Sequence, residues 1–252
     1  VLARGRQSRY YRWFYDLPEH PRLPAEGELP EYACFSYVAD MPKTDLSCPE
    51  ACAYFCEVGR YWIETFDIDG WRLDVANEIN DGFLRAFRAA VKAAKPDALL
   101  IGEVWEDASH FLQGDMLDSC MNYDFRRLAL QFFARRTLDA GGLAVGLHWL
   151  LTRYREPAML AQLIAAQLGV LDSHDVSRFL TECGGDEARM RQAVVFQMTF
   201  PGMPCVFYGD ELGLTGVSEP EYRQAMPWGR DHPFRALYRE LISLRRGHPA
   251  LR

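Results

Sequence analysis

Three acidic residues lie far apart in the chain, and each stands where a short apolar run gives way to polar residues. Asp74 follows Ile68-Asp69-Gly70-Trp71-Arg72-Leu73, Glu103 follows Ala98-Leu99-Leu100-Ile101-Gly102, and Asp175 comes with His174 after the run at 168–172. A carboxylate beside a guanidinium stays ionised and can serve as a nucleophile. A carboxyl at the end of an apolar run tends to have a raised pKa, as a general acid at neutral pH requires. Side chains alternate along a strand, so Arg72 and Asp74 point one way while Trp71 and Leu73 point the other. That spacing serves an ion pair tying down a strand end as well as it serves an activated nucleophile. A Glu at a strand end that simply faces water is common, and Glu103 alone reads that way too. Asp175, with Arg178 three residues on, reads as a third carboxylate or as an N-cap of the next segment. Singly, each structural reading is the better one; jointly, the three acids point to chemistry.

The surrounding pattern supplies elements to bring them together. The first 45 or so residues are rich in Pro, aromatics and charge, lack a sustained period, and read as a long loop. Pro49 suits a first helical position, with Tyr54, Phe55, Val58, Tyr61, Trp62 and Phe66 as the apolar face. Strands are predicted at 68–74, 98–102, 119–122, 168–172 and 204–208. Helices are predicted at 81–95 (burying Phe83, Leu84, Phe87 and Val91), near 126–136, 143–154 and 157–168, and at 186–199 and 233–246. Alternating strands and helices are the signature of right-handed βα units on a parallel sheet. In a parallel barrel all such strand ends share one face, where active sites sit. No glycine-rich phosphate fingerprint supports a dinucleotide-binding fold, and no repeat recurs at a fixed period of about 20–50 residues.

The motifs around the acids resemble those of the α-amylase superfamily. Asp69-Gly70-Trp71-Arg72-Leu73-Asp74-Val75-Ala76-Asn77-Glu78, Gly102-Glu103-Val104-Trp105 and Ser173-His174-Asp175 resemble three of its conserved blocks. Met41-Pro42-Lys43 resembles the short block before them, and Gly202-Met203-Pro204-Cys205-Val206-Phe207-Tyr208-Gly209-Asp210-Glu211 looks like its last barrel strand. The Val-Ala-Asn-Glu tail, the Met-Pro-Lys block and the Ser before His-Asp are similar to the neopullulanase and cyclomaltodextrinase branch.

The resemblance implies an α/β fold of the (β/α)8 TIM-barrel type, here its second half with about five βα units. It implies a retaining glycoside hydrolase of α-1,4-linked glucans, with cyclodextrins, pullulan or maltooligosaccharides as substrate. Asp74 would be the nucleophile and Glu103 the general acid/base, about 5–5.5 Å apart as retention demands. Asp175 would bind sugar hydroxyls, while Arg72 and His174 position the nucleophile and the sugar. Trp105 and Tyr208 are stacking candidates. Glu219 and Arg223 match a pair holding a distal glucose, although the family more often has Asp at the first position. Glu78 is expected to influence whether water or a second sugar is the acceptor. A transglycosylase would use the same residues, and a non-catalytic scaffold of this family would be expected to have lost the three acids.

The rest of the chain limits the alternatives. Of its 252 residues 49% are apolar and 25% charged, and the formal net charge is -7, which suits a soluble domain and argues against nucleic acid or an anionic membrane as partner. No apolar run approaches the roughly 20 residues that span a bilayer, and the N-terminus lacks the pattern of a signal peptide. Seven cysteines at irregular spacing favour a reducing, cytoplasmic setting; the Cys48, Cys52 and Cys56 series reads as buried, inert thiols. His110 and His148 read as ordinary histidines. No cofactor is implied; the family's calcium would find most of its ligands in a half that this sequence does not show. The superfamily's first block, an Asp and a His, has no counterpart upstream of Met41. One partial catalytic domain is therefore expected over 1–252, with a loop region at 1–48 and βα units over 49–252. Five strands do not close a barrel and leave two open edges, so the isolated chain is expected to be weakly active or inactive, or to associate with a second copy.

Overall fold

Five short strands form one sheet in chain order: β1 (Gly70–Leu73), β2 (Leu99–Gly102), β3 (Ser119–Asn122), β4 (Leu168–Val170) and β5 (Met203–Cys205). The computed structural model describes residues 1–153 and 164–251. The Asp69 carbonyl accepts from the Leu99 N–H and Leu73 from Glu103, so β1 and β2 advance together and are parallel. β2 and β3 are parallel with Ile101 opposite Ser119, β3 and β4 with Met121 opposite Leu168, and β4 and β5 with Val170 opposite Cys205. All five strand ends therefore point the same way. The strands at 68–74 and 204–208 are shorter than their sequence pattern suggests, because the chain turns out of the sheet at Asp74 and after Cys205. Two compact units divide the chain, one of Val1–Trp71 with Asn77–Leu100, the other of Arg72–Ala76 with Ile101–Arg252.

In the first unit, helix α1 (Pro49–Phe66) starts on Pro49, whose missing N–H is no loss in a first turn, and stops at Asp67 in the left-handed region. Helix α2 (Asp81–Ala94) is capped by the Asn80 side chain, which accepts from the Phe83 N–H at 3.1 Å. It buries Phe83, Leu84, Phe87 and Val91 as its period requires. The face of α1 differs from the sequence expectation. Tyr54, Tyr61, Trp62 and Phe66 are exposed, while Ala51, Gly59 and Ile63 are buried. Close approach decides this: a Cβ on Gly59 would lie 2.6 Å from the Phe87 ring, so the small residues of α1 face α2 and the large rings turn away. The first 45 residues are irregular, with 3-10 turns at Gly5–Gln7, Tyr11–Trp13 and Phe35–Tyr37 and isolated bridges pairing Phe14 with Thr44 and Cys34 with Pro42.

The second unit is a sheet covered by helices. Asn122 ends β3 and caps α3 (Tyr123–Ala129), accepting from the Phe125 N–H at 3.0 Å; α3 runs into a single π-type turn at Leu130–Ala134. Helix α4 (Ala140–Thr152) is capped by Asp139. The helix expected at 157–168 falls mostly outside the described residues; 164–166 are helical, and Leu168 already belongs to β4. A single turn, α5 (Phe179–Glu182), leads to α6 (Glu187–Thr199), whose buried Gln197 donates to the carbonyls of Gly169 (2.9 Å) and Cys205 (2.8 Å) and so ties β4 to β5. After the one-turn α7 (Glu219–Tyr222) comes α8 (Pro233–Gly247). Phe125, Leu130, Leu171, Phe179, Met190, Val194, Met198, Phe234 and Tyr238 form the core, with the Phe125 and Phe196 rings stacked.

Only Cys120 and Cys183 are buried; Cys34, Cys48, Cys52, Cys56 and Cys205 are half-buried, and all seven are free. The 48–52–56 series is therefore only half-buried, although Cys52 and Cys56 share a helix face with the buried Gly59 and Ile63. Burial pushes Cys120 and Cys183 up to about 12, so these two thiols stay protonated and inert. Among the described residues no helix is long and apolar enough to cross a membrane. Gly59→Ala tests the α1–α2 contact. Intrinsic propensity favours Ala by about 1 kcal/mol, yet overpacking against Phe87 is expected to leave a net loss of about 1–2 kcal/mol in urea unfolding; a gain in stability would contradict the close approach.

Candidate active site

The turn after β1 builds the centre. Val75 has φ 41°, a left-handed conformation that a β-branched residue adopts only at a cost of roughly 1–3 kcal/mol. In that turn the Val75 N–H donates to Glu103 Oε2 at 3.1 Å and the Ala76 N–H to the Glu103 carbonyl at 2.9 Å. The strained turn thus folds the segment after β1 over the acid that ends β2.

Arg72 lies between two carboxyls. Its Nη1 donates to Asp74, while its Nη2 is 3.0 Å from Glu103 Oε1 and 3.7 Å from Met121 Sδ. The carboxyls sit in opposite environments: the Asp74 side chain is 73% exposed, and Glu103 is 2% exposed. Burial pushes the Glu103 carboxyl above the usual range; the Val75 N–H and Arg72 pull it back, and the neighbouring Asp74 carboxyl pushes it further up. Although Arg72 is close, Glu103 Oε1 makes no hydrogen bond among the described residues.

Asp175 sits in a second cluster on the same rim. His174 Nε2 is 3.1 Å from Asp175 Oδ2, and Arg223 Nη2 donates to Asp175 Oδ1 at 2.8 Å. Arg223 also donates from Nε to the His174 carbonyl at 2.7 Å and pairs with Glu219 at 2.9 Å. The Asp175 N–H donates to Ser173 Oγ at 3.2 Å, and that hydroxyl is 3.3 Å from the Tyr123 hydroxyl. Asp175 is not the cap of the following turn, whose N-cap is Arg178 with no side-chain cap bond.

Tyr123 links the two clusters and was not marked by the sequence. Its ring stacks on Trp105 with centroids 4.1 Å apart and planes 8° from parallel. Burial pushes its hydroxyl up to about 12, with the charges of Glu103 and Asp175 both adding to the rise, so the two acids converge on one buried tyrosine. The signal available was its place, the first residue after β3. Trp105 is exposed and stacked on Tyr123, so it has both a packing partner and an accessible surface. Tyr208 is exposed and donates to the Gln224 carbonyl at 2.8 Å. In the first unit, Glu78 pairs with Lys43 at 2.9 Å, bringing together the two branch-type motifs. His110 and His148 lie on the surface. Among the described residues no three His, Cys, Asp or Glu side chains gather as a metal site.

Comparison with known proteins gives one answer. Residues 25–239 match the family described as alpha amylase, catalytic domain. The chain is 45% identical over 255 residues to a cyclomaltodextrinase of Geobacillus thermopakistaniensis (strain MAS1), covering 100% of this chain and 42% of the relative. It is 46% identical over 253 residues to neopullulanase 2 of Thermoactinomyces vulgaris, covering 97% and 41%. A solved cyclomaltodextrinase superimposes with a TM-score of 0.92 at 40% identity, over 100% of this chain and 42% of that one. A cyclic α-maltosyl-(1→6)-maltose hydrolase of Arthrobacter globiformis, in complex with that sugar, gives 0.91 at 35% identity, over 100% and 55%. The chain thus spans less than half the length of the curated relatives it matches.

Because Asp74 raises the Glu103 pKa, Asp74→Asn is expected to lower it. Carboxyl-carbon NMR titration of Glu103 in the two proteins checks this; a Glu103 pKa that is unchanged or higher in the variant would contradict the coupling.

Proposed function

Because the chain belongs to the alpha-amylase catalytic-domain family, and its five parallel strands are part of a (β/α)8 barrel, we propose that it carries the reaction centre of a retaining glycosidase. The substrates are α-1,4-linked glucans: cyclodextrins, pullulan or maltooligosaccharides. One observation carries the reading: a single guanidinium faces two carboxyls, one exposed and one buried.

That division assigns the roles. Asp74, in contact with both Arg72 and solvent, attacks the anomeric carbon as a carboxylate. Glu103, raised by burial, holds a proton and delivers it to the departing glycosidic oxygen. The C1–O bond breaks as a C1–Oδ bond to Asp74 forms. In the second half Glu103, now a carboxylate, takes a proton from water, whose oxygen displaces Asp74 from C1 and restores the original anomeric configuration. Asp175, oriented by His174, Arg223 and Ser173, accepts from sugar hydroxyls and is placed to favour the flattened, oxocarbenium-like ring. Glu219 and Arg223 hold a more distant glucose, and the accessible surfaces of Trp105 and Tyr208 take sugar rings. Every step uses side chains of this chain and water.

A cytoplasmic setting fits the seven free cysteines; a relative 38% identical over 233 residues is named intracellular maltogenic amylase, from Bacillus subtilis (strain 168).

An activated 5-fluoro-glucosyl fluoride tests the assignment. In the active polypeptide that carries this chain, peptide mass spectrometry is expected to find the trapped sugar on Asp74, and Asp74→Asn to lower kcat/KM on β-cyclodextrin by about 10⁴-fold. An adduct on another carboxylate, or turnover that survives Asp74→Asn, would overturn it.

A further inference from the structure

Behind the Asp175 cluster lies a buried group that the proposed chemistry leaves unused. Arg178 is the largest fully buried side chain of the described residues, with Asp172 and Asp210 buried beside it. Its Nη1 donates to the Tyr208 carbonyl at 2.5 Å and to Asp210 Oδ1 at 3.2 Å, and its Nη2 to the Tyr222 carbonyl at 3.0 Å. Its backbone N–H donates to the Gly216 carbonyl at 3.0 Å. The guanidinium lies 4.0 Å from the Phe207 ring centroid, and Asp172 Oδ2 accepts from the next N–H, of Phe179, at 2.8 Å. Desolvating an arginine is costly unless its hydrogen bonds are well met; here both terminal nitrogens are met, by the stretch after β5 and by the one ending in Tyr222, while Nε is buried without a partner among the described residues.

The residue after Tyr222 is Arg223, which grips Asp175 and the His174 carbonyl. Its own support is slight. Helix α7 is a single turn with no buried side chain; it is held by a capping box of Ser218 and Glu221, the Gln224 side chain on the Thr215 carbonyl (2.7 Å), the Tyr208 hydroxyl on the Gln224 carbonyl (2.8 Å), and Arg178 on Tyr222. No fully buried side chain anchors the turn before Arg223, so hydrogen bonds hold it, and the Arg178 fork supplies the one that reaches it from a fully buried side chain. Gly216 closes the arrangement: a Cβ there would lie 2.6 Å from backbone atoms of Glu221 and Tyr222.

We propose that Arg178 is a positioning residue for glucan binding: its fork fixes the Tyr222 carbonyl and thereby sets Arg223 against Asp175. The proposal rests on the function proposed above for the Asp175 cluster. It differs from a general stabilising role in one respect: its effect on substrate must pass through Arg223.

A double-mutant cycle reads that difference on the active polypeptide, with cyclodextrin and maltotriose as substrates. Lysine keeps the charge of Arg178 but not the fork that reaches three acceptors. Arg178→Lys is expected to lower kcat/KM by about tenfold, chiefly through a higher KM, and by less than about twofold once Arg223→Ala is present, because the two act as one unit. Equal losses with and without Arg223 would overturn the proposal, as would a fall confined to kcat. If Arg178→Lys does not fold, Asp210→Asn, which weakens one anchor of the fork at constant volume, must show the same dependence on Arg223 to a smaller degree; independence there is equally fatal. Wild-type turnover separates the two questions: an inactive wild type contradicts the proposed function, whereas an active one with independent losses contradicts only the role of Arg178.

Discussion

One cation facing two carboxyls sets the character of this site. Arg72 reaches Asp74 with one nitrogen and Glu103 with the other, and a single positive charge does not favour two full negative charges beside it. Solvent decides how the pair divides. The exposed carboxyl keeps its hydration, while the buried one loses it, and burial raises the Glu103 carboxyl above its usual range. In the proposed reaction that contrast divides the work, with attack at carbon assigned to the exposed acid and protonation at oxygen to the buried one. Neither the barrel nor the loops would matter to chemistry if that asymmetry were lost.

The surrounding structure maintains it. The left-handed turn at Val75 stores strain to hand a backbone N–H to Glu103, and β1 and β2 bring the two acids to adjacent strand ends. Tyr123 then carries order sideways, packing under Trp105 and meeting Ser173 beside Asp175. Farther back, Gln197 joins β4 to β5 and Arg178 joins three rim segments. Behind the acids at the strand ends lie buried polar groups, Gln197 and Arg178 with Asp172 and Asp210, and the aromatic core around Phe125 and Phe179.

Much of this was legible in the residues. Alternation over 70–74 put Arg72 and Asp74 on one side, whereas the apolar run ending at Gly102 left Glu103 open between a raised acid and one facing water, and the structure buries it. What the chain order hid was contact across strands. Nothing local says that Arg72 also reaches Glu103, that Tyr123 lies under Trp105, or that Arg223 turns back to Asp175, because these pairs are separated by 18 to 48 positions. The aromatic face of α1 misled for a related reason: hydrophobicity marks Tyr61, Trp62 and Phe66 as core, whereas steric fit selects Gly59 against Phe87. Periodicity ranks residues by transfer from water, and close packing ranks them by shape. The backbone strain at Val75 had no signal in residue type at all.

The anomeric form of the first product tests the division of labour between Asp74 and Glu103 most directly. Proton NMR of a fast hydrolysis of cyclodextrin by the active polypeptide, read before mutarotation, is predicted to show the α-anomer at the new reducing end. Appearance of the β-anomer would mean a single displacement by water, and the pairing of an attacking Asp74 with a proton-donating Glu103 would be wrong.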